Sequence, residues 1–207
     1  MSSITRIISR SRFTVTLAAT VSALAIIPAA ASASMTSFGS SLNHSPANAG
    51  STCAENGVSG PALCTHVGSF YPGTSGHAQS PVSGTITKIR LRAEGPTTMV
   101  FKVVQVRNVS SNHKHGQAKA IAKSRTIQVQ GKTDSDGNSL IESFNVSLKV
   151  QKGDEIAVDT TSNTAEYCAD GTPGQLLFDP ILAIGHGFRS AGGVDGCLML
   201  VQAEVKH

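Results

Sequence analysis

Between Phe144 and Val150 the chain alternates without a fault: Phe144, Val146, Leu148 and Val150 are apolar, and Asn145, Ser147 and Lys149 are polar. A period of two places one face in a core and the other in water, which is a strand and not a helix. Gln151-Lys152-Gly153-Asp154 follows, with Gly153 able to take the positive φ of a tight turn, and Ile156 and Val158 resume the alternation. The pattern predicts a hairpin. Upstream, Thr85 to Glu94 sets Ile89, Leu91 and Ala93 against Lys88, Arg90 and Arg92. Met99 to Arg107 changes phase at Val103-Val104, as a bulge or a strand covered on both faces would. Cys64 to Phe70, Ala118 to Gln130, Gln175 to Ile184 and Cys197 to Val205 add further strands. Beyond residue 33 no window of about a dozen residues carries a helical period, and there is no internal repeat. About eight strands separated by turn residues predict an all-β fold, an antiparallel two-sheet sandwich of jelly-roll type.

The N-terminus has a different grammar. Arg6, Arg10 and Arg12 precede an apolar run from Val15 to Ile27, then Pro28 and the small residues Ala31-Ser32-Ala33. Residues 1–33 therefore read as a cleaved signal peptide, the run being shorter than the roughly 20 residues of a membrane span. Residues 34–62, rich in Ser, Ala, Gly, Asn and Thr, read as a flexible leader, and 63–207 as the sandwich domain. Cleavage would leave about 174 residues, enough for one domain with a sizeable core. It would also remove three basic residues, so the formal charge of +4 falls to +1. With that, and with no Trp, two Tyr and seven Phe, a nucleic-acid surface is not expected. No later segment suggests a membrane span.

The four cysteines, Cys53, Cys64, Cys168 and Cys197, all lie in the exported part. An even number in an oxidising compartment favours disulfides. Of the three connectivities, Cys53 with Cys64 and Cys168 with Cys197 pairs neighbours in sequence. No CxxC and no His at finger spacing supports zinc.

The segments Pro81-Val82-Ser83-Gly84-Thr85-Ile86-Thr87-Lys88-Ile89-Arg90, Val150-Gln151-Lys152-Gly153-Asp154-Glu155-Ile156 and Leu198-Met199-Leu200-Val201-Gln202-Ala203-Glu204-Val205 together resemble a group of uncharacterised secreted proteins of high-GC Gram-positive bacteria. The resemblance spans roughly residues 60 to 206. It implies a lectin-like or carbohydrate-module-like sandwich and carries over no catalytic residue.

Candidate chemistry is sparse. Gly185-His186-Gly187 lacks the third glycine of a dinucleotide loop, since position 190 is Ser190, and reads as a plain loop. Asp134-Ser135-Asp136-Gly137-Asn138 offers oxygen ligands, but its glycine is at the fourth place and Asp-Gly is a turn signal. His113 and His115 would share a face if they lay on a strand, and are weak ligand candidates in what reads as an exposed loop. Asp154, Glu155 and Asp159 read as acids on or beside a turn, kept ionised by water. Residues 81–132 hold ten Lys or Arg and one acid, whereas residues 133–204 hold eleven acids and three bases. Lys88, Arg90 and Arg92 could thus form a basic row for an anionic polymer, but cross-strand pairing with acids is the favoured explanation. The expected function is a secreted, non-catalytic binding or surface module without a cofactor, its partner a cell-wall glycan or other extracellular polymer. The alternative is a secreted hydrolase whose site forms only in three dimensions.

Overall fold

The computed structural model describes residues 33–47, 63–168 and 174–207. All but the last residue of the expected signal peptide, residues 48–62 of the expected leader, and Cys53 lie outside the described residues. Among the described residues every regular element is a strand. In chain order these are β1 (Met35–Ser40), β2 (Cys64–Gly68), β3 (Gly76–His77), β4 (Gly84–Arg92) and β5 (Thr97–Arg107). Then come β6 (Gln117–Val129), β7 (Ile141–Val150), β8 (Glu155–Thr160), β9 (Glu166–Tyr167) and β10 (Gln175–Phe178). The chain ends with β11 (Arg189–Ser190), β12 (Gly193–Asp195), β13 (Leu198–Met199) and β14 (Val201–Lys206). The protein is all-β, and every pairing between these strands is antiparallel.

A five-stranded sheet runs β3-β1-β14-β4-β7, a seven-stranded sheet runs β11-β6-β5-β8-β2-β10-β12, and β13 pairs with β9 alone. One core joins the two large sheets. Phe38, Ile86, Ile89, Leu91, Leu148, Val150, Val201 and Val205 come from the first, and Met99, Phe101, Val103, Ile127, Ile156 and Val158 from the second. Each such aliphatic side chain, fully buried, contributes about 1.5–3 kcal/mol. The odd spacing of Ile86 and Ile89 is absorbed by a bulge between Ile86 and Lys88 in the pairing with β7, which lets both point inward. The phase change at Val103-Val104 is also a bulge, in the pairing with β6.

Three expectations need correcting. β7 and β8 do not form a hairpin: β7 pairs with β4 in one sheet, and β8 lies between β5 and β2 in the other. Leu148, Val150, Ile156 and Val158 face the same core from opposite sides, so residues 151–154 arch across the sandwich, with Gly153 at φ 92°. Alternation reports which side of a strand is apolar and is blind to which sheet the strand joins. Second, residues 35–40 of the expected leader form β1, zipped along its length to β14 from Met35↔Lys206 to Gly39↔Gln202. Its pairing is by backbone, and Phe38 alone is a large buried anchor, so composition concealed it. Third, the acids of the arch and of β8 are not solvated: Asp154, Glu155 and Asp159 are all buried.

The outer face of the seven-stranded sheet is covered too. Val67, Val104, Ala118, Ala120 and Ala157 pack there against Phe178 and Leu182, so residues after β10 drape over the sheet and β8 is buried on both faces. A buried ion pair pins this drape. Lys102 Nζ lies 2.6 Å from Asp159 Oδ2 and donates to the Leu182 carbonyl at 2.5 Å. Thr65 Oγ1 donates to Asp159 Oδ1 at 2.5 Å and accepts from the Leu182 amide at 2.9 Å. Arg189 closes the same segment, donating to the carbonyls of Asp179, Pro180 and Ile181.

Candidate functional site

The basic row is spoken for. Antiparallel register sets Lys88 opposite Glu204 and Arg90 opposite Gln202. Lys88 Nζ lies 3.4 Å and Arg90 Nη1 3.7 Å from Glu204, and Arg90 also donates to Gln202 Oε1 at 3.0 Å. Arg92 donates to the carbonyls of Leu42 and Ser139, tying two loops to β4. These pairs sit at the surface, each contributing about 0–1 kcal/mol.

The other expected candidates are placed as follows. Asp134 caps its own turn, Oδ1 accepting from the amides of Asp136 at 2.9 Å and Asn138 at 2.8 Å, which leaves an ordinary turn with Gly137 at φ 82°. Hydrogen bonding by the Asn138 side chain, and then its backbone, lowers the Asp134 pKa. Gly185 to Gly187 is a loop. His113 and His115 lie in the β5–β6 loop and not on a strand, so they do not share a face: His113 stacks on Phe70 with ring centroids 4.0 Å apart, and His115 is exposed. Cys168 and Cys197 form a disulfide. Cys64 is also disulfide-bonded, and no cysteine among the described residues is free; its expected partner, Cys53, lies outside them. Glu166 and Asp195 bring their carboxylates within 4.8 Å of the Cys168 and Cys197 sulfurs, but those sulfurs are bonded to each other and are not thiolate ligands.

What sequence reasoning missed is a groove of about 860 Å³ where three connections meet: the segment after β2, the β5–β6 loop and the β7–β8 arch. Its floor is Glu155, the first residue of β8, at 2% exposure. Phe70, stacked on His113, lines it together with Tyr71 and Val109, and Lys152 stands in the arch. The Tyr71 hydroxyl donates to the Met199 carbonyl at 3.0 Å, so this ring is fixed in place. The loop carrying His113 is braced internally: Ser110 Oγ accepts from the amides of Lys114 and His115, and the Ser110 amide donates to the His115 carbonyl. His113 itself is held at φ 57°, in the left-handed region.

The polar atoms of this groove are distinctive. Among the described residues, five buried side-chain polar atoms have no hydrogen-bond partner in the protein, and three of them, Ser69 Oγ, His113 Nδ1 and Glu155 Oε2, belong to residues lining it. Buried polar atoms are ordinarily satisfied, each failure costing about 1–3 kcal/mol. Burial raises the Glu155 pKa to about 8, Gln79 opposing by a hydrogen bond and the Asp154 charge adding to the rise. The carboxyl is therefore largely protonated near neutral pH. Asp154 is raised as well, mainly by burial, while its carboxylate accepts from the Gln151 amide at 2.7 Å. Tyr71 is raised by burial and by Glu155. A titratable group perturbed by desolvation in a cleft is a mark of functional sites. The only sequence signal was position: Asp154-Glu155 abuts Ile156 to Val158, a run of the kind that enters a strand covered on both faces.

No family model matches this chain, and no curated protein or solved structure matches it.

Proposed function

We propose that the protein is a secreted, non-catalytic β-sandwich module that binds an extracellular polymer, such as a cell-wall glycan, in the groove above Glu155. The convergence of three unpartnered polar atoms with Phe70 and Tyr71 in one cavity carries this reading. A hydroxylated ligand would supply the missing hydrogen bonds. In this reading residues 1–33 are a cleaved signal peptide. The Cys168–Cys197 disulfide and the lack, among the described residues, of a helix long and apolar enough to cross a membrane are compatible with an extracellular site. We assign the sandwich to the jelly-roll type, a reading supported by the order β1-β14-β4-β7 facing β6-β5-β8-β2. The likeness to secreted proteins of high-GC Gram-positive bacteria agrees with a carbohydrate-module role.

Retention on cell walls and on purified extracellular polymers tests the assignment. Ala78 lines the groove, and Ala78→Trp should fill it and abolish retention with the strand circular dichroism unchanged. Replacing Lys88 and Arg90 by Gln should leave retention intact. Retention that survives Ala78→Trp refutes the groove. A second reading, a hydrolase, draws on the raised pKa of Glu155 beside Asp154, a pair in which Glu155 would be the general acid. It requires release of reducing ends or phosphate from the bound polymer, where the binding module releases none.

A further inference from the structure

The groove has a bias in its charges. Its lining includes Lys152, His77 and His113, and Glu155 is its one acid. Every charged or titratable neighbour packed about Glu155 can be placed. Asp154 precedes it in the arch and repels a second negative charge. Tyr71 approaches from the segment after β2 and Gln79 from the segment after β3, the tyrosine unable to release its proton beside a buried acid. From β5, Val104 sits opposite Glu155 in register and Gln105 binds Asp154, while Lys119 of β6 acts on Asp154. Lys152, His77 and His113 line the same cavity. No cation pairs with Glu155 in this set, and an unpaired buried carboxylate costs several kcal/mol, so the group is held as a carboxylic acid. A neutral acid with a free oxygen can donate a hydrogen bond, as can Ser69 Oγ, which lines the same groove.

We propose that this groove is selective for an anionic group on the polymer, a carboxylate or a phosphate, which accepts hydrogen bonds from the Glu155 carboxyl and Ser69 and meets the charge of Lys152 at the groove's edge. The inference rests on the groove being the binding site and adds the chemical class of its ligand. Donation from an acid to an anion is a charge-assisted hydrogen bond, stronger than any a neutral hydroxyl offers there. Ionising Glu155 would replace that bond by repulsion, so binding is lost as the solution becomes alkaline.

The test uses the full chain with three soluble polymers of similar length: a polyuronate, a poly(glycerol phosphate) and a neutral glucan. Calorimetry at about pH 6 and about pH 9 spans the titration of Glu155, both anionic polymers keeping their charge throughout. At the lower pH at least one anionic polymer should bind, roughly tenfold or more tighter than the glucan, and the one preferred names the source of the anion. At the higher pH that affinity should fall at least tenfold for the wild type. Glu155→Gln keeps a neutral donor and should still bind at the higher pH, which assigns the pH dependence to Glu155 and not to His77 or His113. Lys152→Gln should weaken binding several-fold at both. Equal, pH-independent binding of the glucan overturns the anion inference and leaves the groove standing. An alkaline loss that persists in Glu155→Gln also overturns it. Failure of all three polymers to bind refutes the groove reading with it.

Discussion

The pH dependence of stability should show two buried groups pulling in opposite directions. His66, wholly buried on β2, has its pKa pushed by burial from 6.5 down to about 4. Between those values the unfolded chain takes up a proton that the folded one refuses, so stability rises with pH, by about 3 kcal/mol in all at 1.36 kcal/mol per unit. Glu155 behaves in reverse: burial raises it from 4.5 to about 8, the folded chain keeps a proton that the unfolded chain releases, and stability falls with rising pH, by about 5 kcal/mol in all. From about pH 4.5 to 6.5 the slopes cancel, and from 6.5 to 8 only the fall remains, about 2 kcal/mol. Asp154, also raised by burial, steepens the fall from its own lower starting point. Urea unfolding followed by far-ultraviolet circular dichroism, a suitable probe for a chain without tryptophan, would trace the profile. Glu155→Gln should rise to about pH 6.5 and then run nearly level. His66→Gln should only fall. A wild-type profile that keeps rising beyond pH 6.5, or a Glu155→Gln profile that keeps the full wild-type fall, would refute the reasoning.

Three further predictions follow from the contacts. Lys102→Met leaves Asp159 buried and unpaired and should cost about 3–5 kcal/mol in urea unfolding, whereas Lys102→Met with Asp159→Leu should recover most of that loss. Replacing Cys168 and Cys197 by Ser opens a link across 29 residues and should cost about 3.5 kcal/mol by the chain-entropy estimate, read as a lower urea midpoint with the strand spectrum kept. Lys88→Gln with Arg90→Gln removes only surface pairs to Glu204 and should lower stability by about 1 kcal/mol or less, with the loss fading in high salt.

The strands were legible because their cue is local. Phe144 to Val150 declares its inward face residue by residue, and the break at Val103-Val104 marks a bulge within one strand. Partnership is not local. Nothing between Val150 and Ile156 distinguishes an arch from a hairpin, because both leave the same apolar face available, and the choice is made by β4, β5 and β2. β1 escaped for the opposite reason: its partner supplies nearly everything, and Met-Thr-Ser-Phe-Gly-Ser looks like linker without it. The groove was the least visible. Ser69 and His113 lie on two separate connections and Glu155 opens β8, where it resembles a solvated turn acid until that strand is known to be covered on both faces. The cross-strand pairing of Lys88 and Arg90 was readable from charge asymmetry alone, since it required only that early and late strands be neighbours.

That neighbourhood has a temporal side. β14, built from residues 201–206, lies inside the five-stranded sheet, with β1 on one flank and β4 on the other. Without those residues the sheet is two unconnected ribbons, β3 with β1 and β4 with β7, each with a bare backbone edge. Contacts so far apart in sequence close late, so the sheet waits on residues 201–206. β14 is the keystone of this sheet, and a chain lacking residues 201–206 would be held open at its middle.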